Sequence, residues 1–191
     1  MSTIAVAQKH GAAVMVADAL TTFDELKLPP ALDAHPDKIF RVGEAAVGVV
    51  GFTAHAQVLE NLLRSVEAPD FSSRAAIFEL FRDLHPVLKD EYFLRPEAED
   101  GDPYESSQMA LLIASPQGLF GVYDFREVHQ YTRYWAMGSG AAYALGAMSA
   151  VWETAETARA VAEAGAHAGC LFDRGSALPL QTVEVTLADE G

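Results

Sequence analysis

The first fifty residues contain four short apolar runs, each bounded by residues typical of turns. Residues 3–9 and 13–17 are joined through His-Gly and predict a hairpin of two largely buried strands. A second hairpin is predicted where IFRV and AAVGVVG are separated by Gly-Glu. Residues 21–37, between the two hairpins, contain three prolines, so we expect an irregular excursion there and four strands before the first helix.

Two helices are predicted next. Residues 54–67 carry apolar side chains at Val58, Leu62 and Leu63 among polar residues, which is the stripe of an amphipathic helix. A Ser-Ser pair at 72–73 can cap the following helix. The apolar positions of that second helix keep helical spacing despite a proline at position 86, and they are Ile77, Leu80, Phe81, Leu84 and Leu88.

The acidic segment 96–107 has almost no residues suited to a core, and we expect it to be a solvated loop. Beyond it, MALLIAS, GLFGVYDF and VHQYTRYWAMG predict further strands. Helices are expected at about 141–152 and 154–167, and a last strand near 181–187. This order indicates the α+β class, as a four-layer α/β/β/α sandwich of two antiparallel sheets in one domain spanning residues 1–191.

The composition limits the classes of function. The chain has 191 residues, a formal net charge of −14 and scattered Lys and Arg residues, which argues against nucleic-acid partners. It has neither the run of about 20 apolar residues that a membrane helix needs nor the pattern of an export signal, so we expect a soluble, cytoplasmic protein without a membrane partner. The histidines lack ligand spacing, and the single cysteine, Cys170, is expected to be a small buried residue. We therefore predict no metal site and no cofactor.

The first two residues carry the most informative chemistry. A small residue after Met1 favours removal of that methionine by methionine aminopeptidase, which would leave Ser2 with a free α-amino group. This amine has a reference pKa of about 7.7–8.0, so an appreciable fraction is neutral near pH 7 and can accept a proton. Ser2 would then combine a nucleophile with its own base, and a nearby cation, a carboxylate and backbone N–H groups would complete the site.

Five motifs are spread along nearly the whole chain, namely STIAVAQKHGAAVMVAD, DKIFRV, VVGFTAHA, AMGSGAAYALGA and FDRGSALPLQTVEV. In order and spacing they resemble those of proteasome β subunits and of the bacterial proteasome-like peptidase that works with an unfoldase ATPase. These proteins are N-terminal nucleophile hydrolases. The residues that match the catalytic site of the family are Ser2, Asp18, Lys38, Gly51, Ser139, Asp173 and Ser176.

The resemblance implies a role for each of these residues. Ser2 Oγ attacks a carbonyl, its α-amine takes the proton, and Lys38, paired with Asp18, lowers the pKa values of the site. The backbone N–H of Gly51 holds the oxyanion. The residues expected to surround the α-amine with hydrogen bonds are Asp173, Ser139 and Ser176.

The family binds extended substrate beside the excursion at 21–37, which implies substrate contacts at Leu20, Thr21 and Val49. The excursion is longer here than in the family and carries hydrophobic residues, so the specificity is expected to differ. Serine also replaces the threonine usual at the nucleophile position. Because serine keeps more rotamers, we expect reduced peptidase activity. A further departure is His55, where the family has aspartate.

The resemblance implies a self-compartmentalising peptidase, assembled as a single or double homo-oligomeric ring of six or seven subunits. Its substrates would be peptides or unfolded proteins, and an unfoldase ATPase is a possible partner. Two alternatives stay open. One is an N-terminal-nucleophile amidase acting on small amides, and the other is a catalytically silent ring that serves as a scaffold, as a retained Met1 would favour.

Overall fold

Two antiparallel sheets lie at the centre of the fold, and the computed structural model describes residues 2–96 and 101–188. The four strands of the first sheet are, in spatial order, β10 (Tyr134–Met137), β1 (Ile4–Lys9), β2 (Ala12–Asp18) and β11 (Leu180–Thr186). The five strands of the second sheet are, in spatial order, β5 (Ile39–Val42), β6 (Ala45–Val50), β7 (Ala110–Ser115), β8 (Gly118–Val122) and β9 (Val128–Tyr131).

Two pairs of helices cover the outer faces of the sheets. Helices α1 (Thr53–Ser65) and α2 (Arg74–Asp90) pack on the five-stranded sheet. Helices α3 (Ala141–Val151) and α4 (Ala158–Phe172) pack on the four-stranded sheet. A third apolar cluster fills the space between the two sheets. The predicted α/β/β/α sandwich of the α+β class is therefore confirmed.

The N-terminal hairpin is apolar on both faces because both of its faces are covered. In β1, Ile4 and Val6 face the second sheet, whereas Ala5 and Ala7 face the helix layer. Small side chains on the helix side allow α4 to approach β1 and β2 closely. This tight layer fixes the position of β1 and of Ser2 and Thr3, which precede it.

The excursion at 21–37 is more regular than predicted. It contains a hairpin of β3 (Thr21–Phe23) and β4 (Leu26–Leu28), followed by a short 3-10 turn at Pro30–Leu32. Six strands, rather than four, therefore precede the first helix. The prolines start only after β4, and Thr-Thr-Phe has the β-branched and aromatic residues that favour a strand.

The helix boundaries differ from the prediction mainly in α4. The helix was expected at about 154–167 but begins at Ala158, because Thr157 Oγ1 accepts a hydrogen bond from Ala160 N–H at 3.1 Å. It then continues to Phe172, five residues beyond the expected end. At the start of α2, Ser73 Oγ accepts a hydrogen bond from Ala76 N–H at 3.2 Å, as the Ser-Ser pair indicated.

The described part of the predicted acidic loop has neither helix nor strand, and residues 97–100 of that loop lie outside the described residues. Glu105 anchors it, because its carboxylate accepts hydrogen bonds from Lys89 Nζ at 2.7 and 2.8 Å. Arg126 Nη1 also donates to the Glu105 carbonyl at 2.8 Å. None of the helices in the described ranges has the length and apolar character needed to cross a membrane.

Candidate active site

Ser2 lies at the entrance to β1 and is 6% exposed. Its carbonyl oxygen accepts a hydrogen bond from Gly140 N–H at 3.3 Å. A Cβ at Gly138 would overlap the same carbonyl, and Gly138 has a φ of +98°, which favours glycine. The Gly-Ser-Gly turn before α3 therefore packs closely against the Ser2 backbone.

Lys38 reaches the Ser2 side chain from the start of β5. Its Nζ lies 2.8 Å from Asp18 Oδ1, 2.7 Å from the Leu20 carbonyl oxygen and 3.1 Å from Ser2 Oγ. A protonated amine has three hydrogens to donate, so these three acceptors match an ammonium. Burial lowers the pKa of the Lys38 ammonium, although the ion pair with Asp18 opposes this shift.

Asp18 ends β2 and has no exposed surface. Besides the ion pair, its Oδ1 accepts a hydrogen bond from Thr3 N–H at 2.9 Å. Its Oδ2 accepts hydrogen bonds from Leu20 N–H at 3.0 Å and from Ala177 N–H at 3.2 Å. These donors satisfy the buried carboxylate and tie β1, β2 and the segment before β11 to one point.

Asp173, just after α4, holds a second group of polar side chains. Its Oδ2 accepts hydrogen bonds from Ser139 Oγ and from Ser176 Oγ, each at 2.7 Å. Burial raises the pKa of Asp173, but hydrogen bonds from the two serines and from the Gly175 backbone outweigh burial, and the net pKa is lowered. Ser139 Oγ also accepts a hydrogen bond from Ser2 N–H at 3.2 Å. The Ser2 N–H is thus linked to the Asp173 carboxylate through the Ser139 hydroxyl.

Gly51 lies in the turn between β6 and α1, with a φ of +111° that residues with a side chain rarely adopt. A Cβ at Gly51 would meet no atom within 4 Å, so the backbone conformation rather than space requires glycine. Gly51 lines the same cleft as Ser2, Lys38 and Ser139. A backbone N–H held in such a turn can stabilise an oxyanion, and at a glycine no side chain of that residue obstructs the approach of a substrate.

The cleft has a volume of about 890 Å³ and opens to solvent beside Ser2. Two of the three predicted substrate contacts, Leu20 and Thr21, line it. Val49 does not, because its side chain is buried in the apolar cluster between the second sheet and α1 and α2. Val50, on the opposite face of β6, lines the cleft instead.

The sequence prediction missed several other residues of the site. Among those that line the cleft are Asp24, Glu25, Phe52 and Arg174, whereas Phe23, which also lines it, is one of the hydrophobic residues of the excursion expected to alter specificity. Thr3, a polar residue with no exposed surface, was also missed. The signal for Thr3 was present in the sequence, because it is a hydroxyl residue at the start of an otherwise apolar strand.

Metal-ligating side chains and the single cysteine were the other candidate groups for chemistry. In residues 2–96 and 101–188, no group of three or more His, Cys, Asp or Glu side chains is arranged to hold a metal ion. Burial raises the pKa of the Cys170 thiol to about 11, which keeps it protonated near neutral pH. The candidate catalytic groups of the cleft are therefore those around Ser2, namely Lys38, Gly51 and Ser139.

Comparison with solved structures supports this description of the fold. Two structures of BPH from Thiobacillus denitrificans, the second in complex with epoxomicin, are 36% and 35% identical to this chain, with TM-scores of 0.92 and 0.90. Each match covers 98% of this chain and 100% of BPH. Eukaryotic HslV from Trypanosoma brucei is 19% identical over 96% of this chain and 99% of its own, with a TM-score of 0.70, and shares the fold. No protein-family model and no curated protein sequence matches the chain.

The fold and the comparisons first define the class of protein, an N-terminal nucleophile hydrolase fold of two sheets between helix pairs. The sequence identity with BPH, which extends over 98% of this chain and 100% of BPH, defines the family within this class. The chain belongs to the proteasome β-subunit-like family, as its motifs implied.

Proposed function

We propose that this protein is a proteasome-like peptidase whose nucleophile is Ser2 after removal of Met1. The observation that carries the proposal is the pair of contacts at Ser2: its Oγ lies 3.1 Å from Lys38 Nζ, and its nitrogen donates to Ser139 Oγ at 3.2 Å. Ser2 lines an open cleft of about 890 Å³, a volume within the range of ligand-binding pockets.

The proposed reaction begins with attack of Ser2 Oγ on a substrate carbonyl carbon. The α-amine of the same residue takes the hydroxyl proton, and the carbonyl oxygen becomes an oxyanion stabilised by Gly51 N–H. When the substrate C–N bond breaks, the α-ammonium returns a proton to the leaving amine. Water then hydrolyses the ester on Ser2 and regenerates the hydroxyl group.

Lys38 acts in this proposal as a fixed positive charge. Its three acceptors, among them the Asp18 carboxylate, favour the ammonium form, and a cation 3.1 Å from Ser2 Oγ stabilises the developing alkoxide. Because the ammonium is already in place, the charge requires little reorganisation during the reaction. Hydrogen bonding to Ser139 orients the amine so that its lone pair can reach the hydroxyl.

Assembly into rings is the second part of the proposal. An open cleft without a lid would act on any unfolded segment, so sequestration inside a closed ring would restrict access. The family resemblance supports a single or double ring of six or seven subunits, with peptides or unfolded proteins as substrates and an unfoldase ATPase as a possible partner. A cytoplasmic location would suit such a partner.

The test combines intact mass, activity and labelling. We expect native protein to lack Met1, to hydrolyse members of a panel of short peptide amides, and to be labelled by an epoxyketone at Ser2. Ser2→Ala should abolish hydrolysis without unfolding the protein, while Ser72→Ala, at an exposed serine before α2, should retain it. Near-normal hydrolysis by Ser2→Ala, or retention of Met1 in active material, would contradict the proposal.

A further inference from the structure

Thr3 is a buried residue whose backbone N–H contacts Asp18, but its side-chain hydroxyl has no role in the site as described so far. It has no exposed surface, and its Oγ1 lies 2.7 Å from Ser176 Oγ, at hydrogen-bonding distance. From the distance alone, either hydroxyl could be the donor. The neighbouring contacts decide between them.

Ser176 has one hydroxyl hydrogen, and its Oγ also lies 2.7 Å from Asp173 Oδ2. An ionised carboxylate only accepts hydrogen bonds, and the lowered pKa of Asp173 keeps it ionised near neutral pH. The Ser176 hydrogen therefore points to Asp173. Thr3 must then be the donor to Ser176.

The same reasoning fixes the other side of Asp173. Ser139 donates its hydrogen to Asp173 Oδ2, so the Ser139 oxygen is left to accept the hydrogen bond from Ser2 N–H. Hydrogen bonds thus run from Thr3 through Ser176, Asp173 and Ser139 to Ser2. The peptide bond between Ser2 and Thr3 closes this ring of interactions.

The Thr3 side chain packs closely against two glycines. A Cβ at Gly140 would overlap Thr3 Oγ1, and a Cβ at Gly169 would overlap both Oγ1 and the methyl group. The Thr3 backbone N–H also donates to Asp18 Oδ1 at 2.9 Å. The two glycines therefore make room for the Thr3 side chain beside α4 and the start of α3, and the buried Asp18 carboxylate fixes its backbone.

We propose that Thr3 is a positioning residue for the nucleophile: its hydroxyl orients Ser176 and Asp173, and so sets the hydrogen bond that aims the Ser2 amine. This inference rests on the proposed function of Ser2. It assigns to Thr3 a role separate from filling space, because the hydroxyl and the methyl group make different contacts.

Two substitutions separate these contacts. Thr3→Val keeps the shape and removes the hydroxyl, whereas Thr3→Ser keeps the hydroxyl and removes the methyl group. We expect Thr3→Val to lower kcat on a peptide amide by about 10-fold to 100-fold, the effect of losing one hydrogen bond in a charged network, with KM within about twofold. Thr3→Ser should keep kcat within about threefold but lower Tm by about 2–4 °C.

A second readout does not depend on peptide hydrolysis. The rate of Ser2 labelling by an epoxyketone should fall about 10-fold to 100-fold in Thr3→Val and stay within about threefold in Thr3→Ser. If the processed wild type is labelled but cleaves no peptide, the peptidase proposal fails while the labelling rates still decide the role of Thr3. If it is neither labelled nor active, both proposals are overturned.

A double substitution guards against a folding defect in Thr3→Val. Ser176→Ala removes the acceptor, so adding Thr3→Val to it should reduce the labelling rate by less than about twofold further. The role of Thr3 is overturned if Thr3→Val labels and reacts at the wild-type rate, if Thr3→Ser and Thr3→Val lose activity equally, or if the two substitutions are additive.

Discussion

The two walls of the cleft are built in opposite ways. On the wall that carries Ser2, the side chains of Ser2, Thr3, Asp18 and Ser176 are buried, and each has a hydrogen-bond partner. The opposite wall is the hairpin of β3 and β4, where Phe23 is 57% and Leu26 69% exposed. The groups proposed to react therefore lie in the core, whereas the wall proposed to face the substrate is an exposed hairpin.

The difference has consequences for stability as well as for chemistry. In the described part of the chain, β3 and β4 pair only with each other, and a two-stranded hairpin alone is marginally stable in water. By contrast, β1 has a strand on each side and a covering layer on each face. Removing the partner of a buried charge on the Ser2 wall should therefore affect stability and activity together, whereas substitutions on the hairpin should affect the choice of substrate.

The largest expected difference between the walls comes from substituting one lysine on each of them. Lys38→Ala removes the partner of a fully buried carboxylate, and we expect it to lower the free energy of unfolding by about 3 kcal/mol. Activity should fall by about 100-fold to 1,000-fold, as when one preorganised donor is lost. Urea denaturation and peptide-amide hydrolysis measure the two effects.

Lys27 in β4 is the matched control, because it is exposed and has no place in the cleft lining. Lys27→Ala should change the free energy of unfolding by less than about 0.5 kcal/mol and leave activity unchanged. Equal effects of the two substitutions would mean that the walls do not differ as described.

Glycines test the packing of the Ser2 wall. In Gly169→Ala the new methyl group would overlap Thr3, and overpacking typically costs about 1–3 kcal/mol. Gly146 in α3 has no atom within 4 Å of an added Cβ, so Gly146→Ala should stabilise the helix by about 0.5–1 kcal/mol. We expect Gly169→Ala to lower Tm and activity and Gly146→Ala to raise Tm without changing activity. A higher Tm for Gly169→Ala than for Gly146→Ala would show that Thr3 is not closely packed against Gly169.

Much of the fold could be predicted because the apolar runs have clear periods and turn residues bound them. The strands of the two sheets and the helix pairs follow from these patterns, and strand connectivity brings Asp18 and Lys38 to Ser2. The hairpin of β3 and β4 was not predicted, because the prolines that follow it outweighed its short Thr-Thr-Phe strand. The end of α4 was missed because the helix continues through Gly169, a residue type that commonly ends helices, to Phe172.

The side chains of β6 show where sequence reasoning reaches a physical limit. All six residues of AAVGVV are buried, so the alternation that normally separates the two faces of a strand cannot be seen. This pattern could not correct the substrate contact at Val49 that the family resemblance implied, and Val50 lines the cleft instead. The ring of hydrogen bonds through Thr3 likewise depends on contacts between residues up to 173 positions apart, which no local pattern reveals.

The exposed wall gives the smallest and most selective prediction. Asp24 and Glu25 form the tip of the β3–β4 hairpin and line the cleft, and no salt bridge occupies either side chain in the described residues. If an extended peptide lies along β3, a basic substrate residue about three positions from the one beside Thr21 would reach this tip, at about 3.3 Å per residue.

Replacing both acids, in Asp24→Asn with Glu25→Gln, should therefore lower kcat/KM for a peptide amide with lysine at that position by about threefold to fivefold, as expected for exposed charge pairs. The neutral peptide with norleucine in place of lysine should react unchanged, and about 1 M salt should remove the difference because it screens exposed charges. Glu44→Gln, at the β5–β6 turn away from the cleft, is the control for net charge. Equal losses of kcat/KM for the two peptides would mean that the hairpin tip shapes the cleft but does not recognise substrate charge. The exposed wall would then act on activity by shape, as the buried wall does.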